Sequence, residues 1–123
     1  MKNGEFVVFV EYHGCGATNE RLTEITNNYS KAFSVTKYGD NGSQNIIRFL
    51  SRHNLAQSDL VVCGVNTDAC VAKTARGLSA KLPDVKIEIV TEACNSVTYP
   101  EKAWEDFESI AGGRKNIVTV NGN

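Results

Sequence analysis

Long apolar runs, prolines and basic clusters are what this 123-residue chain has least of. Its longest apolar stretches, Phe6 to Val10 and Leu60 to Val65, fall far short of the roughly 20 residues that span a bilayer. No basic segment followed by a longer apolar one opens the chain, so no membrane partner is expected and the location should be cytoplasmic. Lysines and arginines occur in ones and twos around a formal net charge of −1, which leaves out the basic stripe that nucleic acid requires. With only 2 prolines, no linker-like stretch and 41% hydrophobic residues, the expectation is a single domain over 1–123 with its own core.

Metal and disulfide chemistry are equally thin. The 4 cysteines, Cys15, Cys63, Cys70 and Cys94, are irregularly spaced, with no C-x-x-C pair and no companion histidine at zinc-finger distance. Glu11-x-His13 is half a metal site at most, and His53 is far along the chain, so neither a metal nor another cofactor is expected. Free thiols are the default in a cytosolic domain of this size, and most are small buried hydrophobes, a description that fits Cys63 and Cys94. Cys15, between two glycines, reads as a turn residue open to oxidation.

The elements that are present alternate. Phe6–Val10 and Phe33–Lys37 are β-branched and aromatic runs ended by glycine-bearing turns. Ser43 can cap a helix carrying Ile46, Ile47 and Leu50 to about His53. Leu60–Val65 is apolar at nearly every position, which predicts a central strand covered on both faces. Thr67 or Asp68 then caps a helix with Val71, Ala75, Leu78 and Leu82 on one side, stopped by Pro83. Val85, Ile87 and Ile89 alternate with charged residues and predict a strand nearer a sheet edge. Pro100 opens a last helix with Trp104, Phe107 and Ala111, closed by Gly112-Gly113 before a strand at Ile117–Val120. Between Ala17 and Tyr29 the pattern fits a short helix or an ordered loop. Together these predict a three-layer αβα, Rossmann-like domain with a mostly parallel sheet of about five strands.

In such a sheet the functional edge lies at the carboxyl ends of the strands. Glu11, Tyr12 and His13, then Lys37, then Asn66 to Cys70, then Thr91 to Asn95 all fall there. A thiol on the first turn of a helix feels the positive end of the macrodipole, which favours the thiolate, so Cys70 is the candidate nucleophile. Lys37 ends the strand before the motif strand and could stabilise that thiolate or a substrate carboxylate. Layout alone still favours a packed cysteine over a catalytic one.

Leu60-Val-Val-Cys-Gly-Val-Asn-Thr-Asp-Ala-Cys-Val-Ala-Lys-Thr-Ala75 changes that balance. It resembles the G-V-x-T-D-x-C-V signature, with T-A following, of the isochorismatase-like cysteine hydrolases. Val90 to Ser96 is similar to that family's D-A-C/S-A-S strand end, and Val35-Thr-Lys37 with Asn41-Gly-Ser43 is similar to its lysine-bearing segment. The resemblance spans about Phe6 to the C-terminus and implies hydrolysis of a small amide, or a vinyl ether as in the founding activity, by an Asp-Lys-Cys triad. It implies that Cys70 is the nucleophile and Lys37 the triad lysine. It also implies a cis peptide before Asn66, with the amides of Asn66 and Cys70 forming the oxyanion hole while Thr67 and Asp68 hold the turn. Tyr12 and Tyr38 are candidate substrate-binding residues.

The family's general base is an aspartate ending its first strand, in an apolar-apolar-D-x-Q pattern that this chain lacks. Either Phe6–Val10 stands in for that strand and Glu11 takes the aspartate's place, or Phe6–Val10 corresponds to the family's second strand and the chain starts late. The short distance to Lys37 favours the late start. A missing first strand would leave ladder groups exposed mid-sheet, so the gap should close by direct pairing or be filled by another chain. A homodimer or higher homo-oligomer follows, in which a partner could contribute the carboxylate. The expected function is a cysteine hydrolase of a small-molecule amide. The alternatives are a catalytically impaired relative acting as a small-molecule-binding or assembly module, and a fragment whose first strand is lost or swapped.

Overall fold

The computed structural model describes residues 5–97 and 99–121. Their contacts divide the chain into two compact units, one ending at Gly39 and the other beginning at Asp40.

In the first unit β1 (Val7–Tyr12) and β2 (Ala32–Lys37) pair in parallel, joined by the short α1 (Glu20–Ile25). Parallel strands need a crossover of this kind. Asn19 caps α1, its side chain accepting from the Arg21 amide. The register sets Tyr12 opposite Lys37, and Phe6 stacks on Phe33 with ring centroids 5.9 Å apart.

The second unit runs α2 (Ser43–Arg52), β3 (Leu60–Val65), a π-helical turn (Thr67–Val71), α3 (Ala72–Lys81), β4 (Ile87–Asn95), a 3-10 turn (Pro100–Lys102), α4 (Ala103–Ala111) and β5 (Ile117–Val120). Its sheet is parallel with order β3-β4-β5. Val71, Ala72, Ala75 and Leu78 from the α3 side, Phe107 and Ala111 from α4, and Val85, Ile87 and Ile89 beside or within β4 form the buried core. Asn116 ties α3 to the sheet: its side-chain amide donates to the carbonyls of Leu82 at 3.0 Å and Val85 at 2.9 Å, and its oxygen accepts from Ser79. No helix among the described residues is long and apolar enough to cross a membrane.

The architecture is α/β with parallel strands throughout, but several expectations need correcting. The five strands among the described residues form two sheets, of two and three strands, and not one five-stranded sheet. β3 ends its sheet and β4 is the central strand, the reverse of the expected order. The polar alternation of β4 misled because its charged residues occupy the open face, where Lys86 and Glu88 pair at 2.8 Å. Nor are both faces of β3 covered, since the core lies on the Leu60, Val62 and Gly64 side and Val61 and Val65 remain 68% and 60% exposed. Neither Ser43 nor Thr67 nor Asp68 is a helix cap: Gly42 and Asn66 take the N-cap positions, and the serine and threonine begin their elements, both buried.

Candidate active site

The strand that leads to Cys70 is bent before it ends. Gly64 has φ +140°, a conformation that side-chain-bearing residues rarely adopt, and the β3–β4 register shifts between Val62 and Gly64. The next peptide but one, Val65-Asn66, is cis, at the position the resemblance implies. The chain then turns through a single π turn. The amides of Ala69 and Val71 both donate to the Asn66 carbonyl at 3.1 Å, and the second of these is the i to i+5 bond of a π turn. Asn66 also binds the segment just after β4, its side-chain oxygen accepting from the Val97 amide at 3.1 Å. Thr67, 1% exposed, sits under the turn, and one carboxylate oxygen of Asp68 is buried with no hydrogen-bond partner.

Cys70 lies in this turn, half-buried and with its thiol free. It is therefore neither sealed in the core nor on the first turn of α3 proper. Its Sγ lies 3.8 Å from Oδ1 of Asp40, and the other oxygen of that carboxylate pairs with Nζ of Lys73 at 3.0 Å. The backbone around Asp40 is strapped to the start of α3 by Thr74, whose hydroxyl donates to the Asp40 carbonyl at 3.3 Å and accepts from the Gly42 amide at 2.9 Å. Cys70, Lys73 and Thr74 are spaced i, i+3 and i+4, which sets all three towards one side of the helical run.

The other candidates belong to the first unit. Lys37 is buried, with its ammonium 5.0 Å from the centre of the Tyr12 ring, which the parallel register places beside it. Tyr38 is exposed and its ring tilts against His13 at 4.6 Å. Glu11 accepts from both the amide and the hydroxyl of Thr18, at 2.6 and 2.7 Å. Those two bonds favour the charged carboxylate and hold its pKa below the ordinary glutamate value, the hydroxyl contributing most. Burial pushes the Cys94 thiol up, with the neighbouring Cys63 adding to the effect. Among the described residues, no group of three or more histidine, cysteine or acidic side chains is arranged to hold a metal ion.

Asp40 and Lys73 are residues that sequence reasoning passed over, and Thr74 entered only as part of the signature that follows Cys70. Gly39-Asp-Asn-Gly42 reads as a strand-ending turn. The one available signal was the helical spacing of Lys73 from Cys70.

Neither a protein-family profile nor a curated protein matches the sequence. Solved structures do match. The nicotinamidase SaPncA from Staphylococcus aureus superposes with a TM-score of 0.71 at 17% identity, over 94% of this chain and 72% of that one. Nicotinamidase PncA from Bacillus subtilis gives 0.68 at 19%, over 97% and 76%. N-carbamoylsarcosine amidase from Thermoplasma acidophilum gives 0.62 at 16%, over 96% and 73%. This chain has the isochorismatase-like cysteine hydrolase fold. Within that fold the strand carrying Gly64, the cis bond and the turn to Cys70 form one continuous segment of the second unit, so their geometry is set by local bonds and by the packing of Thr67 and Val71.

Proposed function

We propose that the protein is a small-amide hydrolase with Cys70 as nucleophile. The observation that carries the reading is a half-buried thiol on the π turn that follows β3, 3.8 Å from a carboxylate whose other oxygen pairs with an ammonium group. The sulfur attacks the amide carbon, and the amides of Asn66 and Cys70 receive the charge that develops on oxygen. Collapse expels the amine, and water then releases the acid. Thr67 and Asp68 hold the turn. Lys37, as the lysine that supports the thiolate, and Glu11, as a substitute base, enter on the sequence resemblance, with Tyr12 and Tyr38 as substrate contacts. The bonds from Thr18 make Glu11 a weak proton acceptor, which counts against it in that role.

The names of the fold neighbours supply the probes, nicotinamide and pyrazinamide. Ammonia release should be measurable for the wild type and should fall by a factor of about 10³ or more in Cys70→Ala. Undiminished release in Cys70→Ala would refute the nucleophile, and a protein that binds these amides without turning them over would be a binding module.

A homo-oligomer belongs to the same proposal. β3 ends its sheet, and Val61, Cys63 and Val65 lie exposed along it. Apolar residues in such a row are stabilised by covering, at roughly 25 cal/mol per Å² of apolar surface buried. Sedimentation should show a dimer or larger species that Val61→Glu disperses; a monomer across the concentration range would refute this part.

A further inference from the structure

The geometry points to Asp40 as the group that takes the Cys70 proton during acyl transfer, with Lys73 as the residue that positions its carboxylate. This rests on the amidase reading above. The two oxygens of one carboxylate face two different partners, the thiol at 3.8 Å and the ammonium at 3.0 Å. A sulfur-to-oxygen separation of that length is loose for a resting hydrogen bond, and catalytic contacts commonly tighten only when substrate is bound. The placement of Asp40 is not left to its side chain, because Thr74 fixes the backbone at both Asp40 and Gly42 from the turn that follows Cys70. The Lys73 and Asp40 side chains are 46% and 39% exposed, so protons can exchange with solvent between turnovers.

In the first half-reaction the thiol proton passes to Asp40 Oδ1 as the S–C bond forms and the carbonyl electron pair moves onto oxygen. When the oxyanion collapses, the C–N bond breaks and Asp40 returns that proton to the leaving nitrogen. In the second half-reaction Asp40 accepts a proton from water as the water oxygen attacks the thioester. The S–C bond then breaks and the proton returns to sulfur. One amide and one water become one acid and one amine, with no other reactant.

Asp40 and Lys73 carry opposite charges on the side of the turn that holds Cys70, so substitutions at the two positions should change the reactivity of the thiol in opposite directions. Iodoacetamide labelling of Cys70 in the full chain at one fixed neutral pH, followed by peptide mass mapping, reads this without a substrate. Asp40→Asn should speed labelling several-fold, and Lys73→Met should slow it by a similar factor. Ammonia release from nicotinamide should fall about 100-fold or more in Asp40→Asn and recover in part in Asp40→Glu.

Labelling rates that stay at the wild-type value in both variants overturn the assignment, and so does Asp40→Asn hydrolysis within threefold of wild type while Cys70→Ala is inactive. That second result would leave the amidase reading standing. Full activity in Cys70→Ala, or no ammonia from the wild type, would instead remove the amidase reading, and the labelling rates would still decide for or against the Asp40 contact. Should Asp40→Asn fail to fold, Lys73→Met alone decides, since that side chain is half in solvent.

Discussion

Replacing Gly77 by alanine tests how tightly α3 is seated against the segment that carries Asp40. Gly77 lies inside α3, where helix propensity alone predicts that alanine stabilises by about 1 kcal/mol. The structure predicts the opposite sign. A Cβ on Gly77 would sit 2.7 Å from Ser43 Cβ and 2.9 Å from Asn41 Oδ1, and closer still to the Ser43 hydroxyl. Carbon atoms pack best at about 3.5–4.0 Å, so the overlap with Ser43 approaches 1 Å. Ser43 is the buried first residue of α2, and its amide is held by Asn41 Oδ1 at 2.9 Å, so neither neighbour can swing aside alone. Overpacking of this kind costs about 1–3 kcal/mol, which exceeds the propensity gain and leaves a net loss of about 1 kcal/mol. Urea unfolding followed by the fluorescence of Trp104, packed 5.2 Å from Phe107 in the same unit, is the assay. Ser43→Gly removes the obstructing atoms, so the double variant should recover most of the loss and show a favourable coupling energy. A Gly77→Ala variant as stable as the wild type, or more so, would refute the close approach. It would also remove the reason to treat the Asn41–Ser43 segment as rigid.

Other perturbations probe separate points. Leu78→Ala empties a fully buried position between α3 and the sheet and should cost about 2–5 kcal/mol in the same unfolding assay. Asn116→Ala strands the carbonyls of Leu82 and Val85 and should cost about 1–3 kcal/mol, whereas a change under about 0.5 kcal/mol would show that water replaces the amide. Because Thr18 depresses the Glu11 pKa, the resulting stabilisation is present above the ordinary glutamate value and is lost as pH falls through the depressed one. Thr18→Val should return the Glu11 titration, followed by carboxyl NMR, towards the ordinary value. Cys94, its thiol pushed up by burial, should react with iodoacetamide more slowly than the exposed Cys63, and equal rates would contradict that burial.

Much of the fold was legible because apolar pattern and turn chemistry agreed. The bounds of β3 and β5 match the apolar runs that predict them, and α3 stops ahead of Pro83. Where the reading slipped, the deciding bonds came from elsewhere in the chain. β1 extends to Tyr12 because its ladder follows β2 as far as Lys37, although Glu11 breaks the apolar run. β4 continues to Asn95 because Gly64 and Val65 pair with Cys94 and Asn95 beyond the register shift. The caps fell to Gly42 and Asn66 because tertiary contacts bury Ser43 and Thr67 and draw them into their elements.

The candidate site divides in the same way. Gly64, Asn66, Thr67 and Cys70 are consecutive or nearly so, and their arrangement is written in one strand and one turn, so a motif could reveal it. Asp40 stands 30 residues before Cys70, and a threonine hydroxyl on α3 bridges two backbone groups of its loop. No spacing rule announces that. β3 presents the complementary case. A nearly unbroken apolar run predicts cover on both faces, and it does not record whether that cover would come from within the chain. One chain covers the face carrying Leu60 and Val62 and leaves Val61 and Val65 open. A charged residue at Val61 should therefore be costly if the proposed oligomer covers that face, and in an isolated chain it should carry no such cost.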